Sequence, residues 1–343
     1  MHVAVRTGPG SPGRFSSLIL PALAREYPGD SFRIPAAAAA LFPAGLSPNL
    51  TLLPAGPSWL RGLRRERQPA DACLSFGLPP GRRDPPCCLL LSDTAAAGGR
   101  IRHASAVAVP SRAGKTQLLE RLRIPGEKVA VLYGPAAPGS RPLSWEEQEQ
   151  VRETYTGGRE YLFCPVEGCS GAGLLDLLKA FSHLKKRLMS HIPLVLYGAT
   201  ALQDKLFREA LAAFRYRKDV ILQEDTQPEA GLRLTAAAYA WVYPGGGQSW
   251  EVPVADALRC GVPVLTPQES GLEEVAGAAG LYFKRGSAEE MGEQLYRIYR
   301  DEALRQRLAA RAPERAELLT PAEAARSLHA LLEQAAGYNR KTG

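Results

Sequence analysis

Short apolar runs of strand length alternate with segments of helical period along most of the chain. In the first half, "VAVRT", "DACLSFG", "CCLLLS", "SAVAVPS" and "KVAVLYG" read as strands, with "SSLILPALAREYP" and "KTQLLERLRI" as helices among them. Apolar strands connected through helices are the pattern of a parallel sheet covered on both faces. A polar stretch with Pro and Gly, "GPAAPGSRPLSWEEQEQVRETYTGGRE", interrupts the alternation and marks a domain boundary.

After residue 158 the alternation restarts. "YLFCP", "PLVLYG", "DVILQ", "YAWVYPGG", "VPVLT" and "AGLYF" read as strands, and "LLDLLKAFSHLKKRL", "KLFREALAAFRY", "EAGLRLTAAA" and "VPVADALRCG" as helices. The expected fold class is α/β with two Rossmann-like domains, at 1–150 (shortened) and 151–320, and a helix over 321–343. Helix starts are marked by Ser287 with Glu290 and by Thr320 with Glu323, both at capping-box spacing, the second with Pro321 at the first helical position.

Composition changes this picture little: 343 residues, 45% apolar and 22% charged, suit two soluble domains. No apolar run reaches the ~18 residues of a membrane span, and "MHVAVRTGPG" opens without a leader, so a cytoplasmic location is expected. Six cysteines in a chain this long read as free thiols rather than a disulfide framework. Cys164 and Cys169 have no second pair at metal-ligand spacing, so no metal is expected.

The net charge of +7 favours an anionic partner. Nucleic acid is not expected, because the basic residues are scattered and no groove-reading or stacking module is visible. The densest basic run, "WLRGLRRERQP" at 59–69, reads either as a solvated helix face or as a peripheral contact with the inner membrane face.

Candidate chemistry lies in two glycine-rich turns from strand to helix, "RTGPGSPGRFSS" and "YPGGGQSWEVPVADAL". Helix N-termini at the carboxyl ends of parallel strands favour phosphate, since free N–H groups and the helix dipole meet there. Either turn alone is equally well a packing feature. "VPSRAGKTQ" is not a phosphate-binding loop, because Val109 stands where its first glycine belongs. Gly8, Gly10 and Gly13 have dinucleotide spacing, but no acidic residue follows at the end of a second strand.

The run "VPVADALRCGVPVLTPQESGLEEVAGAAGLYF" resembles the C-terminal domain of family-4 retaining glycosyltransferases. "AVAVPSRAGKTQLLERLRIPGEKVAVLYG" is similar to the end of that family's first domain, and "LLDLLKAFSHLKKRLMSHIPLVLYG" to the start of its second. The resemblance implies the GT-B architecture, two Rossmann-like domains facing each other across a cleft. It also implies metal-independent transfer of a sugar, with retention, from a nucleotide sugar to a carbohydrate or glycolipid acceptor, without a cofactor.

The family's two glutamates, eight apart, fall on Gln248, facing the donor sugar, and Asp256, holding the ribose. The resemblance further assigns Gly10, Gly13, Arg14, Gly246, Gly247, Ser249, Trp250, Gln223 and Glu274 to nucleotide-sugar binding, with Trp250 equally readable as core. The base lies against backbone of "DVILQED". An Arg and a Lys that touch the donor diphosphate fall on Gly171 and Ala172, a close-approach glycine falls on Glu251, and a family His on Ser92, before a retained Asp93. Two functions stay open: an active glycosyltransferase with altered donor contacts, or an inactive relative kept for binding or subunit association.

Overall fold

The computed structural model describes all residues except 8–12, 37–46, 54–69, 82–83, 93–97, 199–202, 225, 246–249, 251–252 and 343, and no side chain at 7 or 338–342. The chain forms two compact units: residues 1–135 with 248–251 and 321–343, and residues 136–247 with 252–320. Each is built around one all-parallel sheet.

In the first unit the chain runs β1 (His2–Thr7), α1 (Arg14–Glu26), β2 (Ser31–Pro35), β3 (Leu50–Leu53), β4 (Ala72–Phe76), β5 (Cys87–Leu90), β6 (Ala106–Val109), α2 (Arg112–Leu122) and β7 (Val129–Val131). Its seven strands lie in the order β3-β2-β1-β4-β5-β6-β7. Every residue of β4, β5 and β6 is buried, as strands covered on both faces must be. β2 instead alternates half-buried and buried residues and ends on Pro35, and together with β3 it has no counterpart among the strands expected from the sequence. "VPSRAGKTQ" is the turn from β6 into α2, and Ser111 caps that helix by accepting from the Gly114 N–H at 3.0 Å.

The C-terminal helix, α11 (Pro321–Thr342), belongs to this first unit, where Leu328, Leu332 and Ala335 join Ile19 and Leu23 of α1 in one core. A polar clasp holds the end of α1 to the middle of α11. His329 stacks on Tyr27 with ring centroids 3.5 Å apart, and its Nε2 lies 2.7 Å from Asp30.

The second unit comprises α3 (Trp145–Thr156), β8 (Leu162–Pro165), α4 (Gly171–Leu188), β9 (Leu194–Tyr197), α5 (Lys205–Ala212), β10 (Val220–Gln223), α6 (Pro228–Ala236) and β11 (Ala240–Val242). It continues through α7 (Val254–Arg259), β12 (Val264–Pro267), α8 (Gly271–Ala276), β13 (Gly280–Phe283), α9 (Ala288–Arg300) and α10 (Glu302–Ala316). The strand order is β10-β9-β8-β11-β12-β13, so the winding reverses between β8 and β11.

α4 shows how the sequence builds this unit. Leu174, Leu177, Leu178, Phe181 and Leu184 recur at helical spacing and are buried. Lys185, Lys186 and Arg187 complement the carboxyl end of the helix dipole, and Met189, in the left-handed conformation at φ 47°, ends the helix. Lys185 is itself buried, and its ammonium is satisfied by the Ser190 carbonyl at 2.7 Å and Asp219 at 2.9 Å.

The chain enters the second unit at 136, inside the polar stretch that marks the boundary, and α3 in that stretch belongs wholly to the second unit. Ser144 and Glu147 form a complete capping box inside the stretch that reads as linker, and the helix it starts buries only Val151 and Thr156. Of the two expected capping boxes, Ser287 accepts from the Glu290 N–H, but the Glu290 carboxylate turns to the Lys284 N–H instead. Among the described residues no helix is long and apolar enough to cross a membrane. The basic run at 59–69 lies outside the described residues.

Candidate functional site

In an open parallel sheet, a crevice for ligands opens beyond the carboxyl ends of the strands where the winding reverses. In the second unit that point lies between β8 and β11. Tyr243, just past β11 and 1% exposed, fixes the two loops there by donating its hydroxyl to the Glu167 carbonyl at 3.2 Å. Its ring stacks on Trp241 at 5.6 Å, and burial pushes its hydroxyl well above the usual range. Gly245 has to lack a side chain here, since a Cβ would come within 2.7 Å of the Tyr243 ring. This is the described member of the glycine triplet; Gly246 and Gly247, with Gln248 and Ser249, lie outside the described residues.

After β8 the chain turns into α4, eighteen residues long, with Ser170 as its cap. The Ser170 hydroxyl accepts from the Gly173 N–H at 3.1 Å, so among the described residues the N–H groups of Gly171 and Ala172 are the free donors of the first turn. Such an end attracts an anion. No Lys or Arg stands anywhere from 167 to 173. Asp204 occupies the space beside Gly171 instead: a Cβ at 171 would meet its Oδ2 at 1.9 Å, while its Oδ1 caps α5 through the Phe207 N–H at 2.9 Å.

Asp256 lies in the first turn of α7, where a carboxylate suits the helix dipole. It is only 2% exposed, and its Oδ1 accepts from the Ala137 N–H at 2.7 Å and the Ser140 hydroxyl at 2.8 Å. Both donors come from the segment that enters the second unit. Burial raises the thiol of neighbouring Cys260 to about 12, and the Asp256 charge adds to that rise.

The other candidates fall into two groups. In the second unit Gln223 ends β10, and its carbonyl accepts from the Gly198 N–H at 3.0 Å. Glu274 sits in the six-residue α8, where its carbonyl is held by the Arg315 guanidinium. Cys164 and Cys169 both place their sulfurs 3.5 Å from the Pro165 carbonyl.

In the first unit Gly13 precedes α1 as its cap residue and Arg14 is the first helical residue. Beside them Trp250 packs as the core alternative expects: the ring is 5% exposed, stacks on Phe15 at 4.6 Å, and donates its Nε1–H to the Leu132 carbonyl at 2.5 Å. Its face and its one polar group are both taken by the core of the first unit. Gly10 and Asp93 lie outside the described residues, while Ser92 is exposed.

Sequence reasoning missed Glu167, Asp204 and Ser140. Glu167 follows an apolar strand directly, and only the strand order shows that this is the switch point. Nothing in the sequence signals the other two.

The family model described as Glycosyl transferases group 1 matches residues 169–315, from the loop before α4 into α10. This stretch is a group 1 glycosyl transferase domain. The O-antigen chain mannosyltransferase B of Escherichia coli is 29% identical over 136 residues, 39% of this chain and 35% of that enzyme, so the match spans about a third of the relative's length.

Among solved structures, a glycosyltransferase from Rickettsia africae superposes with a TM-score of 0.80 at 13% identity, covering 97% of this chain and 98% of that one. Anabaena Alr3699/HepE, solved in complex with UDP, gives 0.77 at 16% identity, covering 97% and 100%. WaaG, a glycosyltransferase involved in lipopolysaccharide biosynthesis, gives 0.70 at 16%, covering 97% and 99%. At these identities the likeness is one of fold, and the two parallel-sheet domains are those of GT-B glycosyltransferases.

Proposed function

We propose that this protein is a glycosyltransferase that takes a nucleotide-sugar donor in the second unit and passes the sugar, with retention and without a metal, to a carbohydrate or glycolipid acceptor. One observation carries the reading: within the group 1 domain, the α4 N-terminus opens at the sheet's switch point with two backbone donors to spare. The N–H groups of Gly171 and Ala172 hold the donor diphosphate. As the sugar leaves, negative charge grows on that diphosphate, and preorganised backbone dipoles stabilise it where it forms. The resemblance adds Gln248 beside the donor sugar and the base near Gln223.

Relatives guide the choice of donor: the Anabaena protein is solved with UDP-glucose, and the Escherichia coli relative is a mannosyltransferase. The protein is titrated calorimetrically with UDP and GDP, then incubated with UDP-glucose and GDP-mannose while released nucleoside diphosphate is measured. Binding of one diphosphate together with release from its sugar is expected. No binding by either diphosphate would sink the reading. Retention is tested on the product by NMR, where an axial anomeric linkage from an axial donor is expected.

A further inference from the structure

Three carboxylates in the second unit are candidates for a part in donor binding, and two of them have hydrogen-bonding duties within the fold. Asp256 is buried with Oδ1 between Ala137 and Ser140, and Asp204 caps α5. Glu167, three residues before the Ser170 cap, is exposed, and among the described residues its carboxylate accepts from nothing but its own backbone N–H. Partial burial raises that carboxyl above its ordinary value.

The position of the carboxylate is fixed by Gly198, the residue after β9. Gly198 has φ +127°, and a Cβ there would come within 2.2 Å of the Glu167 Oε1, so the carboxylate occupies the space that any other residue's side chain would fill. Neighbouring strands lie roughly 5 Å apart, so the carboxylate over β9 stands about one strand spacing from the end of β8, where the phosphates bind. That is the separation of a ribose from its own phosphates. A carboxylate accepts from two vicinal hydroxyls at once, and it repels phosphate.

We propose that Glu167 reads the donor's ribose by accepting from its 2′- and 3′-hydroxyls, and so determines that the site takes a ribonucleotide rather than any diphosphate. The inference rests on the donor reading above and adds a specificity residue to it.

The test compares the natural protein with Glu167→Gln, titrating UDP, 2′-deoxy-UDP and inorganic pyrophosphate by calorimetry, or the guanosine pair if GDP is the nucleotide bound. The natural protein prefers the ribonucleotide over its deoxy counterpart by roughly ten- to a hundredfold, the range for a hydrogen bond to a charged group. In Glu167→Gln that preference falls to within about threefold, while pyrophosphate binds several-fold tighter because a repelling charge is gone. A merely structural role would not move the two ligands in opposite directions. An unchanged ribose preference in Glu167→Gln overturns the proposal, as does its collapse in Asp256→Asn alone. Failure of every nucleotide to bind the natural protein would instead overturn the donor reading, and this one with it.

Discussion

Replacing Asp256 separates a residue that binds ribose from one that holds its own domain together. In Asp256→Ala, the Ala137 N–H and the buried Ser140 hydroxyl lose their acceptor, and α7 loses the carboxylate in its first turn. Each hydrogen bond to a charged group contributes about 1.5–3 kcal/mol, and the helix-end charge about 0.5 kcal/mol. Because the bonds share one oxygen and are not additive, the expected loss is about 3–5 kcal/mol. For a domain of roughly 150–250 residues this lowers Tm by about 6–20 °C. Asp256→Asn keeps an acceptor oxygen without the charge and loses about 1–2 kcal/mol, and Ser140→Ala about 1 kcal/mol. Thermal melting by circular dichroism, without nucleotide, ranks the three. If Asp256→Ala melted with the natural protein, the assignment of Asp256 as a latch on residues 137–140 would be wrong.

Trp250→Ala should cost the first unit about 3–5 kcal/mol, as truncation of a large buried aromatic does, and Trp250→Phe about 1 kcal/mol, since it keeps the stack on Phe15 but strands the Leu132 carbonyl. Urea titration checks both, and equal stability of all three proteins would place the ring outside the core. Alkaline pH should destabilise the fold through Cys88 and Cys260, each raised to about 12 chiefly by burial against roughly 8.5 in the unfolded chain. A raised folded pKa means the stabilisation is complete below the unfolded value and is lost as pH rises from about 8.5 to 12, by up to about 1.4 kcal/mol per pH unit per thiol. Cys88→Ala with Cys260→Ala should flatten the decline measured by urea titration between pH 9 and 11, and an unchanged slope would refute the argument.

Strands buried on both faces were legible because burial leaves an apolar run: "ACLSF" and "CCLL" lie inside the seven-stranded sheet, and "VLTP", one strand in from the edge of the other sheet, is buried at every residue as well. β2 and β3 were not, because β2 alternates half-buried with buried positions and admits Arg33 and Pro35, which read as turn or coil, and β3 is the edge strand beside it. The helix inside the boundary stretch was hidden for a related reason. A helix that buries two residues has almost no apolar stripe, so α3 looks like polar linker. For the site, the sequence located the loops and Asp256, but side-chain direction decides what each residue touches, and that depends on tertiary packing. Trp250 packs in the core of the first unit although β11 before it and α7 after it belong to the second, and Glu167 gains meaning only once Gly198 after β9 is placed beside it.

The electrostatics of the α4 end run against the charge of the whole chain. A protein of net charge +7 places Glu167 and Asp204 beside the helix end proposed to take a diphosphate, and no Lys or Arg between 167 and 173. The absence of a cation at 171 is tied to a neighbouring helix. Any side chain there would need the space of the Asp204 carboxylate, and moving Asp204 would remove the cap of α5, a loss of about 1 kcal/mol. Position 171 and the start of α5 are therefore fixed together, and an arginine cannot be restored at 171 without disturbing the element beyond β9. With lysine and arginine absent from this turn, attraction for phosphate there comes from N–H groups and the helix dipole, which act only within the first turn and are weaker than a charged side chain. Near two carboxylates such a site holds a bare diphosphate poorly. A ligand gains most here when its hydroxyls give Glu167 something to accept, which turns the repulsion of phosphate by that carboxylate into selection for the nucleoside attached to it.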